Sequence, residues 1–296
     1  MSLVAQMAQS YFELVALDNE LAIVKKTVDA RRESLHLARI RYEGGLTSET
    51  AYRQAQVELA RTSTLVPDLE RKITLKQNEI AFLTGEYPHE IQRASLPEDV
   101  LLSATLPMGL PSSLLERRPD IRQAEQAVIA ANAAVGVAFT NLFPRLTLTA
   151  SVGSESAEFA DFIKSPYHLL SATILQPVFA MGKNRALVKA KKAACEQAAY
   201  NYEKVVLTAF KEAYNAIAEF NKIKEIYETR LRLEQSSKIT LDLAQLQYLN
   251  GVIGYLDLLD AQRGYLDAQI GLSNAIRDKQ ITLVNLYKAL GGGWQE

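Results

Sequence analysis

The longest uninterrupted pattern in the chain is a stripe of apolar residues at helical spacing. From Lys183 to Asn250 there are 68 residues without a glycine or a proline. Apolar residues in this stretch recur about every 3.6 positions, which is the period of an α-helix. They are Tyr202, Val206, Ala209, Ala213, Ile217, Phe220, Ile223, Tyr227 and Leu231. Such a helix would be roughly 100 Å long, whereas a compact chain of this length is only about 50 Å across. The pattern therefore predicts a mainly α-helical protein of elongated shape.

Glycines mark the ends of the two longest helical stretches. Gly44 and Gly45 follow the first stretch that lacks both glycine and proline, and Gly251 follows the second. A glycine just past the last turn of a helix readily adopts the left-handed conformation that closes the helix. We therefore expect two long antiparallel helical hairpins, with tips near residues 43–48 and 250–254.

The two hairpins resemble each other in sequence. Residues 34–42 read SLHLARIRY and residues 240–248 read TLDLAQLQY, at an offset of 206. The match continues without a gap through Gly45 and Gly251. Two helices rich in alanine and leucine could match by composition alone, but the shared turn favours an internal duplication.

The duplication predicts three segments. Residues 1–85 would be the second part of repeat 1, residues 86–118 a proline-rich connector and residues 119–296 repeat 2. Within repeat 2 we expect a helix over residues 119–142 and a long helical hairpin over residues 183–290. The part of repeat 2 that precedes its hairpin has no counterpart in the first copy. We therefore expect this chain to be the later part of a longer protein.

Two segments between the helices alternate apolar and polar residues, as strands with two unlike faces do. They are residues 146–152 and 168–179. Each is near the length of roughly 10 residues that a tilted strand needs to cross a bilayer. A strand pair of a water-soluble protein would alternate in the same way, so the pattern alone leaves both interpretations open.

Composition excludes several classes of function. The chain has 33 basic and 34 acidic residues, so there is no global positive field to hold nucleic acid. The single cysteine, Cys195, excludes an internal disulfide framework and a cysteine-rich zinc site. The three histidines are scattered, and we expect neither a metal site nor a cofactor. No apolar run is long enough for a transmembrane helix, and no signal-peptide pattern is present.

Several motifs resemble those of outer-membrane efflux proteins, the TolC- and OprM-type exit ducts of tripartite pumps. The sequence GLPSSLLERRPDIRQAE at residues 109–125 resembles the signature between the two repeats of this family, most closely in its OprM-like lipoprotein branch. Other family-like motifs follow in the expected order: NLFPRL at 141–146, QPVFAMGK at 176–183, YLDLLDAQR at 255–263 and LYKALGGGW at 286–294. The resemblance covers nearly the whole chain.

The resemblance implies a homotrimer whose long helical hairpins form an α-barrel tunnel in the periplasm. Residues 146–152 and 168–179 would be one strand pair of a shared β-barrel in the outer membrane, in contact with its lipid. The implied protein partners are a periplasmic adaptor (membrane fusion protein) and an inner-membrane pump. A signal peptide and a lipid-anchored cysteine would precede this chain. Cys195 lies within a predicted helix and is not that anchor.

The resemblance also implies a periplasmic gate. Tyr248 matches a latch tyrosine of the TolC branch, and Leu256, Asp257 and Asp260 match positions that narrow the tunnel. The two aspartates are three residues apart and share one helix face, so three copies would form carboxylate rings that favour cations. An ordinary solvated helix face would have the same sequence. Ile253 stands where the TolC branch has an arginine, so we do not expect a tyrosine–arginine latch.

Both hairpin tips match the places where the adaptor docks in this family. The tip residues are Gly45, Leu46, Thr47, Ser48, Gly251, Val252, Ile253 and Gly254. Small residues would let two helical turns approach closely, with Leu46 and Val252 as apolar anchors. Glycine would also stand there simply because it closes a helix.

We expect a passive duct rather than an enzyme. Asp257 and Asp260 are not accompanied by a nearby histidine, an oxyanion-type glycine loop or metal-ligand spacing, which catalysis would require. The alternative is a periplasmic adaptor or another long-hairpin scaffold without a pore. Such a scaffold would not need a duplicated hairpin or two-sided strands.

Overall fold

A computed structural model of the chain describes residues 2–93, 118–154, 166–176 and 179–292. These residues form six helices and two strands: α1 (Ser2–Glu43), α2 (Glu49–Ser63), α3 (Leu65–Thr84), α4 (Pro119–Thr140), β1 (Arg145–Ser154), β2 (Pro166–Leu175), α5 (Met181–Leu249) and α6 (Tyr255–Ala289). The chain divides into two compact units, one of residues 1–110 with 211–296 and the other of residues 111–210. Most of the connector predicted over residues 86–118 lies outside the described residues.

The fold is mainly α-helical with one small antiparallel sheet, as predicted. The apolar stripe of α5 is its better buried side, and Ala209, Ala213 and Ile223 are all buried there. Among the described helices, none combines the length and the apolar character needed to cross a membrane.

The two hairpins turn with the same backbone hydrogen bonds. After α1, the Leu46 N–H donates to the carbonyl five residues earlier at 2.7 Å, and Gly45 has a φ of 71°. After α5, the Val252 N–H makes the equivalent bond at 2.9 Å, and Gly251 has a φ of 74°. Glycine adopts this left-handed backbone without steric cost. The two glycines therefore determine where α1 and α5 turn.

The return arm of the first hairpin consists of two helices rather than one. α2 ends at Ser63 and α3 begins at Leu65, with Thr64 between them. Pro67 follows in the first turn of α3. It has no N–H to donate to the carbonyl of Ser63, and its ring crowds that carbonyl, so a continuous helix is interrupted here.

Apolar clusters hold the first hairpin together. α1 lies against α2, α3 and α6. Two clusters join α1 to α3: one contains Leu14, Ile73 and Ile80, and the other contains Val24, Val28 and Leu69. The arms of this hairpin are therefore packed along much of their length.

The two hairpin tips share one core, which we call the tip cluster. Its buried members come from four helices: Ala38 of α1, Ala51 and Ala55 of α2, Ala244 and Tyr248 of α5, and Tyr255, Leu258 and Leu259 of α6. The alanines let the helix backbones approach closely, and burial of each leucine contributes about 1.5–3 kcal/mol. The tip cluster fixes the α5–α6 turn against α1 and α2.

β1 and β2 pair in one antiparallel register, from Arg145 opposite Leu175 to Ser154 opposite Pro166. The sequence pattern predicts that the second strand continues to residue 179, but β2 ends at Leu175. Pro177 cannot donate a ladder hydrogen bond, and Phe179 lies in a turn that leads into α5. The α4 helix and the start of α5 belong to the same unit as the sheet.

Candidate functional site

Tyr248 lies in the last turn of α5 and is part of the tip cluster. Its side chain is buried, and its ring meets the Tyr255 ring edge to face, with the centroids 5.9 Å apart. The Arg41 guanidinium stacks 4.7 Å from the centroid of the Tyr248 ring, and its Nη1 donates to the Tyr248 carbonyl at 2.8 Å. The proposed latch residue is therefore held between α1 and α6.

The two tyrosine hydroxyls of the tip cluster are buried, and neither has a hydrogen-bond partner among the described residues. Burial raises the pKa of both Tyr248 and Tyr255, because the phenolate form would lose its hydration. The nearby Arg41 and Arg31 cations oppose these rises in part. Both hydroxyls therefore stay protonated.

Leu256, Asp257 and Asp260 lie on the opposite side of α6 from the tip cluster. All three are exposed, and Leu256 has 57% of its surface accessible. The predicted gate residues thus fall into two groups, since Tyr248 is buried while the other three point away from the tip cluster. The exposed group presents one apolar side chain and two carboxylates on the first two turns of α6.

Asp257 also has a local structural task. Its Oδ2 accepts a hydrogen bond from the Gly254 N–H at 3.0 Å, which caps the start of α6. At the equivalent position of the first hairpin the cap is of another kind, because the Ser48 hydroxyl accepts from the Ala51 N–H at 3.4 Å. Gly254 and Asp257 correspond to Ser48 and Ala51 at the offset of 206. The return helix of the first hairpin is therefore capped by the side chain of its N-cap residue, Ser48. The return helix of the second is capped by the side chain three residues further on, Asp257.

The predicted docking tips are only partly exposed. Leu46 and Val252 occupy equivalent positions and expose 73% and 70% of their surface. The four glycine and serine residues of the tips are exposed as well: Gly45, Ser48, Gly251 and Gly254. Thr47 and Ile253 are half-buried, and Ile253 packs against the tip cluster. The geometry thus offers Leu46 and Val252, but not Ile253, as free apolar contacts.

A buried polar network beside the tip cluster was not predicted. The Arg31 Nη1 donates to the Gln262 Oε1, and its Nη2 lies 3.9 Å from the Glu58 Oε2. The Arg263 Nη2 donates to the other oxygen of Glu58, and the Gln262 Nε2 donates to the Ser34 Oγ at 3.1 Å. The network, which we call the Glu58 network, connects α1, α2 and α6.

Burial and charge act against each other in the Glu58 network. The side chains of Arg31 and Glu58 are only 2% and 6% exposed. The hydrogen bond from Arg263 lowers the pKa of Glu58, although burial of the carboxylate opposes this. Burial also lowers the pKa of Arg31, and the Glu58 charge opposes that shift. Both side chains remain charged, so the single negative charge of Glu58 is shared by two guanidinium groups.

One signal in the sequence could have revealed this network. Val24, Val28, Arg31, Leu35 and Ala38 follow the alternating four- and three-residue spacing of an inward helix face. A charged residue at such a position requires a buried partner. The sequence does not say which helix supplies that partner.

The described residues contain no group of histidine, cysteine, aspartate or glutamate side chains arranged to hold a metal ion. The free Cys195 is half-buried within α5. The polar features of the tips are therefore carboxylates, guanidinium groups and backbone caps.

Comparison with known proteins decides the family. The sequence model described as "Outer membrane efflux protein" matches residues 1–86 and 110–292. The chain belongs to the outer membrane efflux protein family. The match takes in both hairpins, α4 and the strand pair.

The names of proteins related to this outer membrane efflux protein refer to different exported substances. It is 30% identical over 296 residues to the cation efflux system protein CusC of Escherichia coli O6:H1, covering 99% of this chain and 64% of CusC. It is 34% identical over 303 residues to the pyoverdine export outer membrane protein OpmQ of Pseudomonas aeruginosa, covering 100% of this chain and 62% of OpmQ. The chain thus spans less than two thirds of the length of these curated relatives.

The fold also matches solved structures of the family. The outer-membrane channel OprN superposes with a TM-score of 0.91 at 31% sequence identity, over 100% of this chain and 67% of that one. The helical hairpins and the small sheet described above are therefore those of an outer-membrane channel with an α-barrel tunnel.

Proposed function

We propose that this chain forms the greater part of one protomer of a homotrimeric exit duct in a tripartite efflux system, through which small molecules pass passively. The observation that carries the proposal is the family match, which runs through both hairpins and the strand pair. The names of CusC and OpmQ refer to different cargo, cations in one and pyoverdine in the other. Both names describe export, so we propose a route of export and no particular substrate.

The proposed duct lies in the outer membrane and extends into the periplasm. The exposed apolar face of the strand pair supports contact with outer-membrane lipid, since Leu148 and Leu170 are 70% and 74% exposed. A periplasmic adaptor would dock at the tips, where Leu46 and Val252 offer equivalent apolar contacts. The inner-membrane pump would supply the energy, and no catalytic step is assigned to this chain.

The proposed gate consists of Leu256, Asp257 and Asp260. In a trimer, three copies of this exposed α6 face would meet near the axis and form rings of carboxylates with an apolar constriction. Like charges repel, so closure has to be held from the other side of the helix. Tyr248 has that supporting role, because it packs α5 against α6 and is itself held by Arg41.

The Glu58 network supports the same arrangement. α6 is joined to α2 by the ion pair of Arg263, which is 43% exposed, with the buried Glu58, and to α1 by the hydrogen bond from the buried Arg31 to Gln262. Moving α6 outwards would leave the buried Arg31 and Glu58 with fewer polar partners. Opening the gate by rotation of α6 would therefore require these bonds to break or to be replaced.

The test is to replace both aspartates, Asp257→Ala and Asp260→Ala, in the full-length protein. We expect a higher single-channel conductance in planar bilayers and a weaker preference for cations, because the carboxylate rings are lost. Trimer assembly should stay unchanged, because both side chains are exposed and loss of the Asp257 cap at the start of α6 costs only about 1 kcal/mol.

The matched control removes the same charge elsewhere, by Asp242→Ala and Asp267→Ala. Both residues are exposed, one on α5 and one on α6, outside the tip. The control should conduct like the unmodified protein. If the gate variant shows unchanged conductance and unchanged selectivity, Asp257 and Asp260 are ordinary solvated residues and the gate lies elsewhere.

The alternative function, a periplasmic adaptor or a scaffold without a pore, has no observation in its favour. The family match points to the channel component, and the exposed apolar strand pair would serve no purpose in such a scaffold. A full-length protein that forms trimers but no conducting pore would favour the alternative.

A further inference from the structure

One end of the strand pair carries an unbalanced positive charge. Residues 126–154 and 166–195 contain six lysine or arginine residues and no aspartate or glutamate, although the whole chain has a net charge of only −1. The six are Arg145, Lys183, Arg185, Lys189, Lys191 and Lys192, and all are exposed. They lie at the beginning of β1 and near the beginning of α5.

The charged residues are distributed unevenly between the two ends of the strand pair. Arg145 pairs with Leu175 at one end of the sheet, and Ser154 pairs with Pro166 at the other. The sequence that joins the strands at the second end contains Glu155, Glu158 and Asp161 with a single lysine, Lys164. The cations therefore mark the end at which the strands connect to helices.

An open cavity lies among the cations at this end. Its volume is about 640 Å³, and Arg145 and Lys183 line it together with the polar residues Thr140, Asn141, Gln176 and Asn184. The Asn184 Nδ2 donates to the Asn141 carbonyl at 2.9 Å, which ties the start of α5 to the end of α4. Neither Arg145 nor Lys183 forms an ion pair within the described part of the chain. Two unpaired cations beside amide groups suit a phosphodiester.

Two further features of the same end favour an anion. α5 begins at Met181, and the partial positive charge of a helix N-terminus attracts anions within the first turn. Arg185, Lys189 and Lys192 are spaced four and three residues apart, so they extend the positive charge along one face of α5.

Apolar surface adjoins the cations. Phe139 and Phe143 make an edge-to-face pair with centroids 5.4 Å apart, and they remain 50% and 56% exposed. Leu146 follows directly after Arg145 and is 67% exposed. Aromatic residues commonly flank the apolar band of membrane strands, where headgroups meet acyl chains. Leu146 points to the opposite face of β1 from Arg145, because successive strand residues alternate. The apolar surface nearest to the cations is therefore Phe143, which lines the same cavity.

We propose that this end of the unit binds an anionic phospholipid of the membrane leaflet that faces the periplasm. The phosphodiester lies in the cavity between Arg145 and Lys183, and the acyl chains begin at Phe143, which lines the same cavity. The proposal rests on the outer-membrane location proposed above, which makes the helical end of the strands the periplasmic end. Anionic headgroups attract juxtamembrane lysine and arginine, which is the charge complementarity seen here.

The test measures lipid binding to the delipidated full-length protein in detergent by native mass spectrometry. Phosphatidylglycerol and phosphatidylcholine with the same acyl chains are titrated separately. The variant Arg145→Gln with Lys183→Gln should bind phosphatidylglycerol roughly 25-fold more weakly, about fivefold for each lost cation. Its affinity for phosphatidylcholine should change much less.

Two control variants separate charge from folding and position. Arg145→Lys with Lys183→Arg retains both charges and should retain phosphatidylglycerol binding. Lys224→Gln with Lys238→Gln removes two exposed cations further along α5 and should have no effect. If phosphatidylglycerol affinity is unchanged in the first variant, or falls equally in the Lys224 and Lys238 control, the proposal is overturned.

A competition experiment distinguishes a lipid from free phosphate. A tenfold excess of inorganic phosphate should leave phosphatidylglycerol bound; complete displacement would mean that the cavity recognises phosphate alone and would overturn the lipid proposal. The channel is recorded in parallel. If the variant Arg145→Gln with Lys183→Gln loses its preference for phosphatidylglycerol but conducts normally, the lipid site is supported. If the unmodified protein does not conduct at all, the proposed duct is contradicted, and the lipid titration still decides the lipid proposal on its own.

Discussion

Glu58 is the residue on which the electrostatics of the tip depend most. Its carboxylate accepts from Arg263 and faces Arg31, whose side chain is only 2% exposed. A charge removed from water is tolerated only when it is paired. Loss of the Glu58 charge would leave Arg31 buried beside a second cation.

Replacement of this carboxylate by an amide tests that view. We expect Glu58→Gln to lower the free energy of unfolding by about 3 kcal/mol, because one partner of a buried ion pair is removed and the other stays. Chemical denaturation followed by circular dichroism measures the change. Glu70→Gln is the matched control: Glu70 pairs with Lys25 at 3.0 Å, but both side chains are about half exposed, so the loss should stay below about 1 kcal/mol. Equal losses in the two variants would contradict the importance of burial.

The same carboxylate should affect the response to acid. The folded state lowers the pKa of Glu58 below its ordinary value, chiefly through the Arg263 hydrogen bond. The resulting stabilisation is fully present above the ordinary pKa and is lost as the pH falls through the lowered one. As the pH falls below about 5, the thermal unfolding midpoint of the unmodified protein should therefore drop more steeply than that of Glu58→Gln. Parallel curves for the two proteins would show that Glu58 titrates alike in the folded and unfolded chain.

At the scale of the elements, the hairpins depend on where their helices stop. Gly45 and Gly251 adopt positive φ at the same place in both hairpins, and backbone hydrogen bonds close both turns. Glycine and the helical period are local signals, and both are visible in the sequence at these turns. The interruption at Thr64 was missed, although Pro67 is its physical cause, because a proline near a helix start is equally compatible with several helix boundaries.

A pair of glycine substitutions tests the turn. Gly251→Ala should lower the free energy of unfolding by about 1–2 kcal/mol, because an L-residue at this φ brings Cβ against the backbone. Gly264→Ala makes the same chemical change inside α6, where a new Cβ would meet nothing within 4 Å. That variant should be more stable by about 0.5–1 kcal/mol. Thermal unfolding of both variants provides the comparison, and a shift of the same sign in both would exclude backbone strain at Gly251 as the reason.

At the scale of the whole molecule, sequence reasoning predicted the family and the mainly helical fold, which the comparisons confirm. It could not predict which side chains of different helices meet. In the sequence, Arg31 is one charged residue among many in a long helix. Its partners Glu58 and Gln262 are known only once α1, α2 and α6 are seen to pack together. The role of Tyr248 likewise depends on burial between α1 and α6, which no local pattern in α5 specifies.

The two hairpins cap their return helices differently, and this difference affects the charge at the tips. One return helix begins on a neutral hydroxyl, that of Ser48, and the other on an ion, Asp257. The negative charge of Asp257 at the second tip therefore has a structural reason, since it caps the first turn of α6. Asp260 makes no such bond among the described residues, so its charge can be exchanged without disturbing the backbone. A substitution at Asp260 therefore tests the gate proposed above without removing the cap of α6, whereas a substitution at Asp257 changes both the charge and the cap.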